Sequence, residues 1–194
     1  MDKPSLPAVP LEAALLVVCP EADPVVGRHR SFLDSAAQVG VPAHITVAYP
    51  FKPVIDAYDI ANLEALFLRI PAFTTTFAET DWFGSDVLFL RPLDSEPLSV
   101  VYQAVSDAFP DWPIFGGVYD SYVPHLTVGH NQPVALLREA EADVTGHLPV
   151  IQPITAVDLW SGPALASGTG QWRKVRSFPL GGALAQHAQH ISVR

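Results

Sequence analysis

Cysteine is almost missing from this chain. Cys19 is the only one among 194 residues, which excludes an intrachain disulfide and any Cys₄-type metal site. Within ALLVVCP it reads as a buried strand residue, the common role of a free thiol. Basic residues are also scarce. Eleven Lys and Arg stand against twenty Asp and Glu, giving a net charge of −9 and a pI near 5.0. A protein that tracks a duplex needs a basic face for counterion release, so duplex DNA is excluded as a partner and long RNA is disfavoured. A small anionic ligand or a strand end in a locally positive pocket remains open. Long apolar runs are lacking too: Ala13–Cys19 is too short to span a bilayer, follows Glu12, and has no basic segment before it. The expectation is a soluble, cytoplasmic protein without a membrane partner.

What the chain does have is apolar material for a core: 49% hydrophobic residues and only 16% charged ones. The 19 prolines are scattered between apolar segments rather than gathered into a linker, so the body of the chain is ordered. Ala14–Cys19 has strand length. Asp23-Pro24 opens a helix carrying Val26, His29, Phe32, Leu33 and Ala36, closed by Gly40. The strand HITVAYPF follows from His44, then a helix capped by Asp56 or Asp59 with Ile60, Leu63, Leu66, Phe67 and Ile70 on its apolar face. FTTTFAETDWF and DVLFLRPL flank Gly84-Ser85 as a hairpin, and Ser95 starts a helix with Leu98, Val101, Val105 and Ala108.

The order then recurs. HLTVGH begins at His125; Asn131-Gln132-Pro133 opens a helix ending near Gly146; PITAVDLWSGP and GQWRKVRSFPL form a second hairpin. TDWFG after the first motif is echoed by VDLWSG after the second. A two-copy repeat of motif strand, helix and hairpin is too short for a solenoid. It predicts a single bilobal domain over residues 1–194, with repeat halves at roughly 40–93 and 121–181 and a mobile tail at 182–194. The fold class is α+β.

On a strand, residues i and i+2 share a face. His44 therefore faces the same way as Thr46, and His125 the same way as Thr127, while Ile45, Val47, Leu126 and Val128 turn into the core. Packing does not ask for the same polar pair twice, so a cleft between two lobes is the economical place for all four. Two imidazoles with unperturbed pKa near 6.5 suit phosphodiester chemistry. A neutral one removes a proton from the attacking water or hydroxyl; a protonated one supplies a proton to the leaving oxygen. Threonine hydroxyls donate to the non-bridging oxygens. The scheme needs no metal and no cofactor.

HITV and HLTV in one small α+β chain, with their flanks VPAHITVAYPF and YVPHLTVGH, resemble the 2H phosphoesterase superfamily, and in particular its bacterial 2′-5′ RNA ligase-like and cyclic phosphodiesterase members. The resemblance implies a pseudo-twofold fold with two antiparallel sheets, flanking helices and a central cleft. It also implies His44 and His125 as the acid/base pair and Thr46 and Thr127 as phosphate-binding hydroxyls. Implied substrates are 2′,3′-cyclic phosphates on nucleotides or RNA ends, 2′-5′ linkages and ADP-ribose cyclic phosphate, cleaved or, in the ligase direction, joined.

Other residues have plainer readings beside functional ones. Arg28 and Arg30 flank His29 on the first helix and are candidate phosphate contacts. Tyr49, Tyr122, Trp160 and Trp172 are core by default; Tyr122 is the preferred candidate to stack a base. Lys174 and Arg176 share a strand face and are candidate nucleotide-phosphate contacts, whereas Arg173 points away. His130 suits a helix-entry or surface role. His187 and His190, an isolated HxxH in the tail, are a poor metal signal. Three alternatives stand against the esterase: a 2′-5′ RNA ligase, a non-catalytic nucleotide-binding module, and a zinc hydrolase using His44, His125 and a third ligand such as His130, the last without any HExxH-like support.

Overall fold

A computed structural model describes residues 11–118, 121–165 and 170–182. The positions 183–194 of the expected tail, with His187 and His190, lie outside the described residues. Among the described residues, eight strands and five α-helices follow one another as β1 (Leu11–Val18), α1 (Asp23–Leu33), α2 (Ser35–Gln38), β2 (His44–Phe51), α3 (Ala57–Phe67), β3 (Phe73–Phe83), β4 (Val87–Pro92), α4 (Glu96–Ala108), β5 (Leu126–His130), α5 (Val134–Thr145), β6 (Val150–Ile154), β7 (Ala156–Pro163) and β8 (Arg173–Pro179).

The strands form one antiparallel sheet in the order β6-β3-β4-β5-β2-β1-β7-β8. The two sheets expected from sequence are its four-stranded halves, joined at the centre by a single pair, Ile45 with Leu126. The order is palindromic: β5 matches β2, β4 matches β1, β3 matches β7. Strand, helix, motif strand, helix, strand therefore occurs twice, once as β1 to β3 and once as β4 to β7. The last strand of each unit (β6 is an extra strand within the second) pairs not with its own unit but with the first strand of the other: β3 with β4 and β7 with β1. Both expected hairpins are present, yet each four-stranded half draws on both units. Helices α1 and α5 pack against β5, and α5 also meets β3; α4 lies on β2 and α3 on β8.

Alternation on the strands separates two apolar clusters. Leu15, Val17, Ile45, Val47, Leu126 and Val128 belong to the main core under the helices. Ala14 and Leu16, on the opposite face of β1, join Val39, Val41 and Trp172 in a smaller one. Each fully buried Leu, Ile or Val in these clusters contributes roughly 1.5–3 kcal/mol. Gly129 lets α1 and α5 approach β5 closely, since a Cβ there would lie 2.7 Å from Leu33 Cβ and 2.8 Å from Leu137 Cδ2.

Local signals act mostly as read. Asp56 caps α3, accepting from the amides of Tyr58 and Asp59 while Asp59 returns a bond to the Asp56 amide, the reciprocal box that satisfies orphan donors. Two differences matter. The first helix does not run to Gly40: it stops at Leu33, because Asp34 adopts an extended backbone (φ −127°, ψ 115°) and its carboxylate accepts from the Ala36 amide to start α2. Strand β6 falls in a segment with two prolines, and Pro153 is tolerated because β6 is an edge strand paired only to β3.

Candidate active site

The one central pair fixes the site. In an antiparallel ladder, residues opposite each other share a face. With Ile45 opposite Leu126, His44 falls beside Thr127 and Thr46 beside His125. The two motifs thus interleave as a square of alternating imidazole and hydroxyl, all four partly exposed, while Ile45, Val47, Leu126 and Val128 are buried behind them.

Both imidazoles are held the same way. His44 Nδ1 lies 2.7 Å from the Pro42 carbonyl and His125 Nδ1 2.7 Å from the Val123 carbonyl. A carbonyl only accepts, so each Nδ1 carries the proton and donates. This leaves Nε2 of each ring as the group available for chemistry. Their surroundings differ. His44 is pushed down to about 4, by burial first and then by the Arg30 guanidinium. His125 is also lowered, by burial, with the Val123 hydrogen bond opposing the shift. It sits among aromatic rings: Phe83 is edge-on at 5.0 Å between centroids and Phe89 at 5.4 Å.

Beyond the Ile45–Leu126 pair, side chains tie the motif strands together. At the His44 end, Arg30 donates from Nη1 to the Thr127 carbonyl (3.0 Å) and from Nη2 to the carbonyls of Val41 (3.2 Å) and Pro42 (3.1 Å). Its Nη2 is 3.0 Å from Asp34 Oδ2. Arg30, expected as a phosphate contact, is instead 1% exposed and spends its donors on backbone oxygens beneath the site. At the other end, Tyr122 donates its hydroxyl to the Thr46 carbonyl at 2.9 Å, and one face of its ring is stacked on Tyr102, 4.3 Å away.

The remaining candidates are dispersed. Arg28 is exposed on α1, and its carbonyl accepts from Ser31 Oγ. Tyr49 donates to the Glu12 carboxylate at 2.6 Å and meets Trp172 edge-on. It helps line a hollow of about 50 Å³ next to His44 and Thr46, with Ala14, Leu16 and Val41. Lys174 pairs with Asp158 at 3.3 Å, and Arg176 pairs with Glu64 on α3. These two do not share a face: the β7–β8 register slips between Leu159 and Trp160, so Arg176 stands opposite Leu159 and Lys174 opposite Trp160. A larger depression of about 350 Å³, lined by Val18, Asp158, Lys174 and Ser177 among others, includes none of the four motif residues. His29 pairs with Asp143 at 2.6 Å, tying α1 to α5. His130 reaches Asp34 Oδ1 (3.4 Å) and Ser35 Oγ (3.1 Å), and the Asp34 contact raises its pKa. Among the described residues, no three His, Cys, Asp or Glu side chains are grouped to hold a metal, so the zinc alternative has no ligand cluster there.

Sequence reading missed Asp34, Phe83 and Phe89. Asp34 lies four residues after Arg30, just past the end of the same helix, a spacing that signals an ion pair. Phe83 and Phe89 have no such signal, because only the β3–β4–β5 register brings them to His125.

A curled, eight-stranded antiparallel sheet flanked by helices is the fold of the LigT-type 2H phosphoesterases. The chain belongs to the 2′-5′ RNA ligase superfamily, whose family model matches residues 18–162. Its fold is similar to that of Escherichia coli LigT complexed with 3′-AMP (TM-score 0.56, 17% identity, 89% of this chain and 99% of that one). It is also similar to a protein described as a phosphoesterase (0.54, 16%, 89% and 99%). A third likeness is to TT0787 of Thermus thermophilus (0.51, 17%, 88% and 99%). A search of curated protein sequences found no match. Among the described residues, no helix is long and apolar enough to cross a membrane.

Proposed function

We propose that this protein is a phosphoesterase that opens 2′,3′-cyclic phosphate or 2′-5′ phosphodiester bonds on nucleotides or RNA ends, using His44, His125, Thr46 and Thr127. The observation that carries the reading is the central register, which sets each imidazole beside the other motif's hydroxyl. A phosphate over that square meets Nε2 of one histidine from each side. His44, kept neutral by burial and Arg30, is the general base: it takes the proton of the attacking water as oxygen bonds to phosphorus. His125 is the general acid. It is lowered chiefly by burial, and an arriving phosphate anion raises its proton affinity, so it protonates the ribose oxygen as the phosphorus–oxygen bond breaks. Thr46 and Thr127 donate to the non-bridging oxygens as negative charge builds there.

A small nucleotide or an RNA end suits the acidic chain better than a long duplex, and related LigT structures are complexed with 3′-AMP, ATP and NADP+. The test is hydrolysis of 2′,3′-cyclic nucleotides in excess chelator by wild type, His44→Ala and His125→Ala. Activity that survives both substitutions sinks the mechanism. The family's description also supports a ligase reading, in which an RNA 5′-hydroxyl replaces water. RNA halves with 2′,3′-cyclic phosphate and 5′-hydroxyl ends give a joined product only in that case.

A further inference from the structure

Arg30 and Asp34 are charges buried to within a few per cent of full occlusion, and in the acid/base scheme neither touches the phosphate. Such a pair is weak support for stability, because desolvation offsets most of its attraction and apolar replacements often hold a fold as well. The guanidinium is placed where the sheet is incomplete. The ladder between β2 and β5 has the single rung Ile45–Leu126. Past it on the His44 side, one flat fork of donors reaches the Thr127 carbonyl on β5 and the Val41 and Pro42 carbonyls leading into β2. The Pro42 carbonyl is also the acceptor that orients His44. Asp34, at the break between α1 and α2, anchors the fork at 3.0 Å. A lysine presents a point charge and cannot make this planar set of bonds.

We propose that the Arg30–Asp34 pair is a positioning element of the active site, replacing the missing rungs between the motif strands and holding His44 and Thr127 in register. This rests on the phosphoesterase reading for its catalytic consequence only. The same pair sets the charge that His44 feels. The charged and titratable groups facing His44 are Arg30 from α1, Asp34 from the α1–α2 junction and His125 from the segment before β5. The first and last oppose its protonation and Asp34 favours it. Asp34 in turn faces His130 at the end of β5; burial raises its carboxyl, but the contacts with His130 and Arg30 outweigh this and hold it below the usual range.

The experiment compares three variants by thermal unfolding, by NMR titration of the His44 imidazole in the free protein, and by kcat/KM on a 2′,3′-cyclic nucleotide. Arg30→Met with Asp34→Asn removes both charges and keeps a capping oxygen for Ala36. It is expected to unfold within a few degrees of wild type, to titrate His44 at higher pH, and to lose about 100-fold in kcat/KM, the scale of an ångström-sized misplacement. Asp34→Asn alone is expected to move His44 to lower pH, the opposite direction. Arg30→Lys keeps the charge and is expected to lose rate with little change in the His44 titration; it also serves if the double variant does not fold. A folded double variant with wild-type rate, or His44 titrations that move the same way in the first two variants, overturns the proposal. If wild type has no esterase activity, the phosphoesterase reading fails, while the backbone amide shifts of His44 and Thr127 in the same NMR spectra still decide the positioning role: shifts in Arg30→Lys that match wild type overturn it.

Discussion

The two sides of the central square carry the same motif in unlike surroundings. His44 and His125 make the same 2.7 Å bond to the carbonyl two residues earlier. The strand carbonyl of each threonine is also claimed by a side chain, Thr127 by Arg30 and Thr46 by Tyr122. There the likeness stops. One side is braced by a buried ion pair, the other by stacked tyrosines and by phenylalanines around the imidazole. Symmetry supplies two identical tools; the surroundings make them different, one held firmly neutral and the other lowered without a neighbouring cation.

The comparison is broken most severely at the imidazoles. His44→Ala and His125→Ala should each lower kcat by about 10²–10⁴-fold, measured on a 2′,3′-cyclic nucleotide. A substrate with a p-nitrophenolate leaving group needs no acid, so it should restore much of the rate of His125→Ala and little of His44→Ala; equal rescue would mean the roles are not divided this way. The next effect is on stability. His44 is pushed below its unfolded value near 6.5 to about 4, so the folded state favours the neutral ring. That stability is fully present above pH 6.5 and is lost as pH falls toward 4, by up to about 3 kcal/mol. Urea unfolding across this window should show a shallower acid decline in His44→Gln than in wild type.

Gly129→Ala should cost about 1–3 kcal/mol by urea unfolding, because its methyl group would press on Leu33 and Leu137 and move α1, with Arg30, off β5. The smallest effect is expected from Tyr122→Phe. Losing the bond to the Thr46 carbonyl should cost about 0.5–1.5 kcal/mol, with the stacked pair retained.

The motif strands were readable from sequence because a period of two needs only neighbours: Ile45 and Val47 mark the core face, and His44 and Thr46 follow on the other. The hairpin around Gly84-Ser85 and the Asp56 cap were equally local. What was hidden depends on partners distant in the chain. Arg30 looks like a surface helical arginine until three backbone oxygens and Asp34 surround it. Lys174 and Arg176 alternate as expected on a regular strand, but a slip against β7 turns them apart, and no single strand records its own slip. The pairing of β3 with β4 and of β7 with β1 exchanges strands between repeats, which self-similarity along the chain does not reveal.

That exchange has a consequence for how the molecule comes together. During synthesis, β1 finds β2 early, but its other edge waits for β7, with Leu11 finally meeting Pro163. An apolar strand with an unfilled edge is open to pairing with other chains, and contacts so far apart in sequence slow folding. A cut between α4 and β5 would leave β1 to β4 on one piece and β5 to β8 on the other. Each piece then lacks strands that both halves of the sheet require, so the two are expected to fold only in each other's presence.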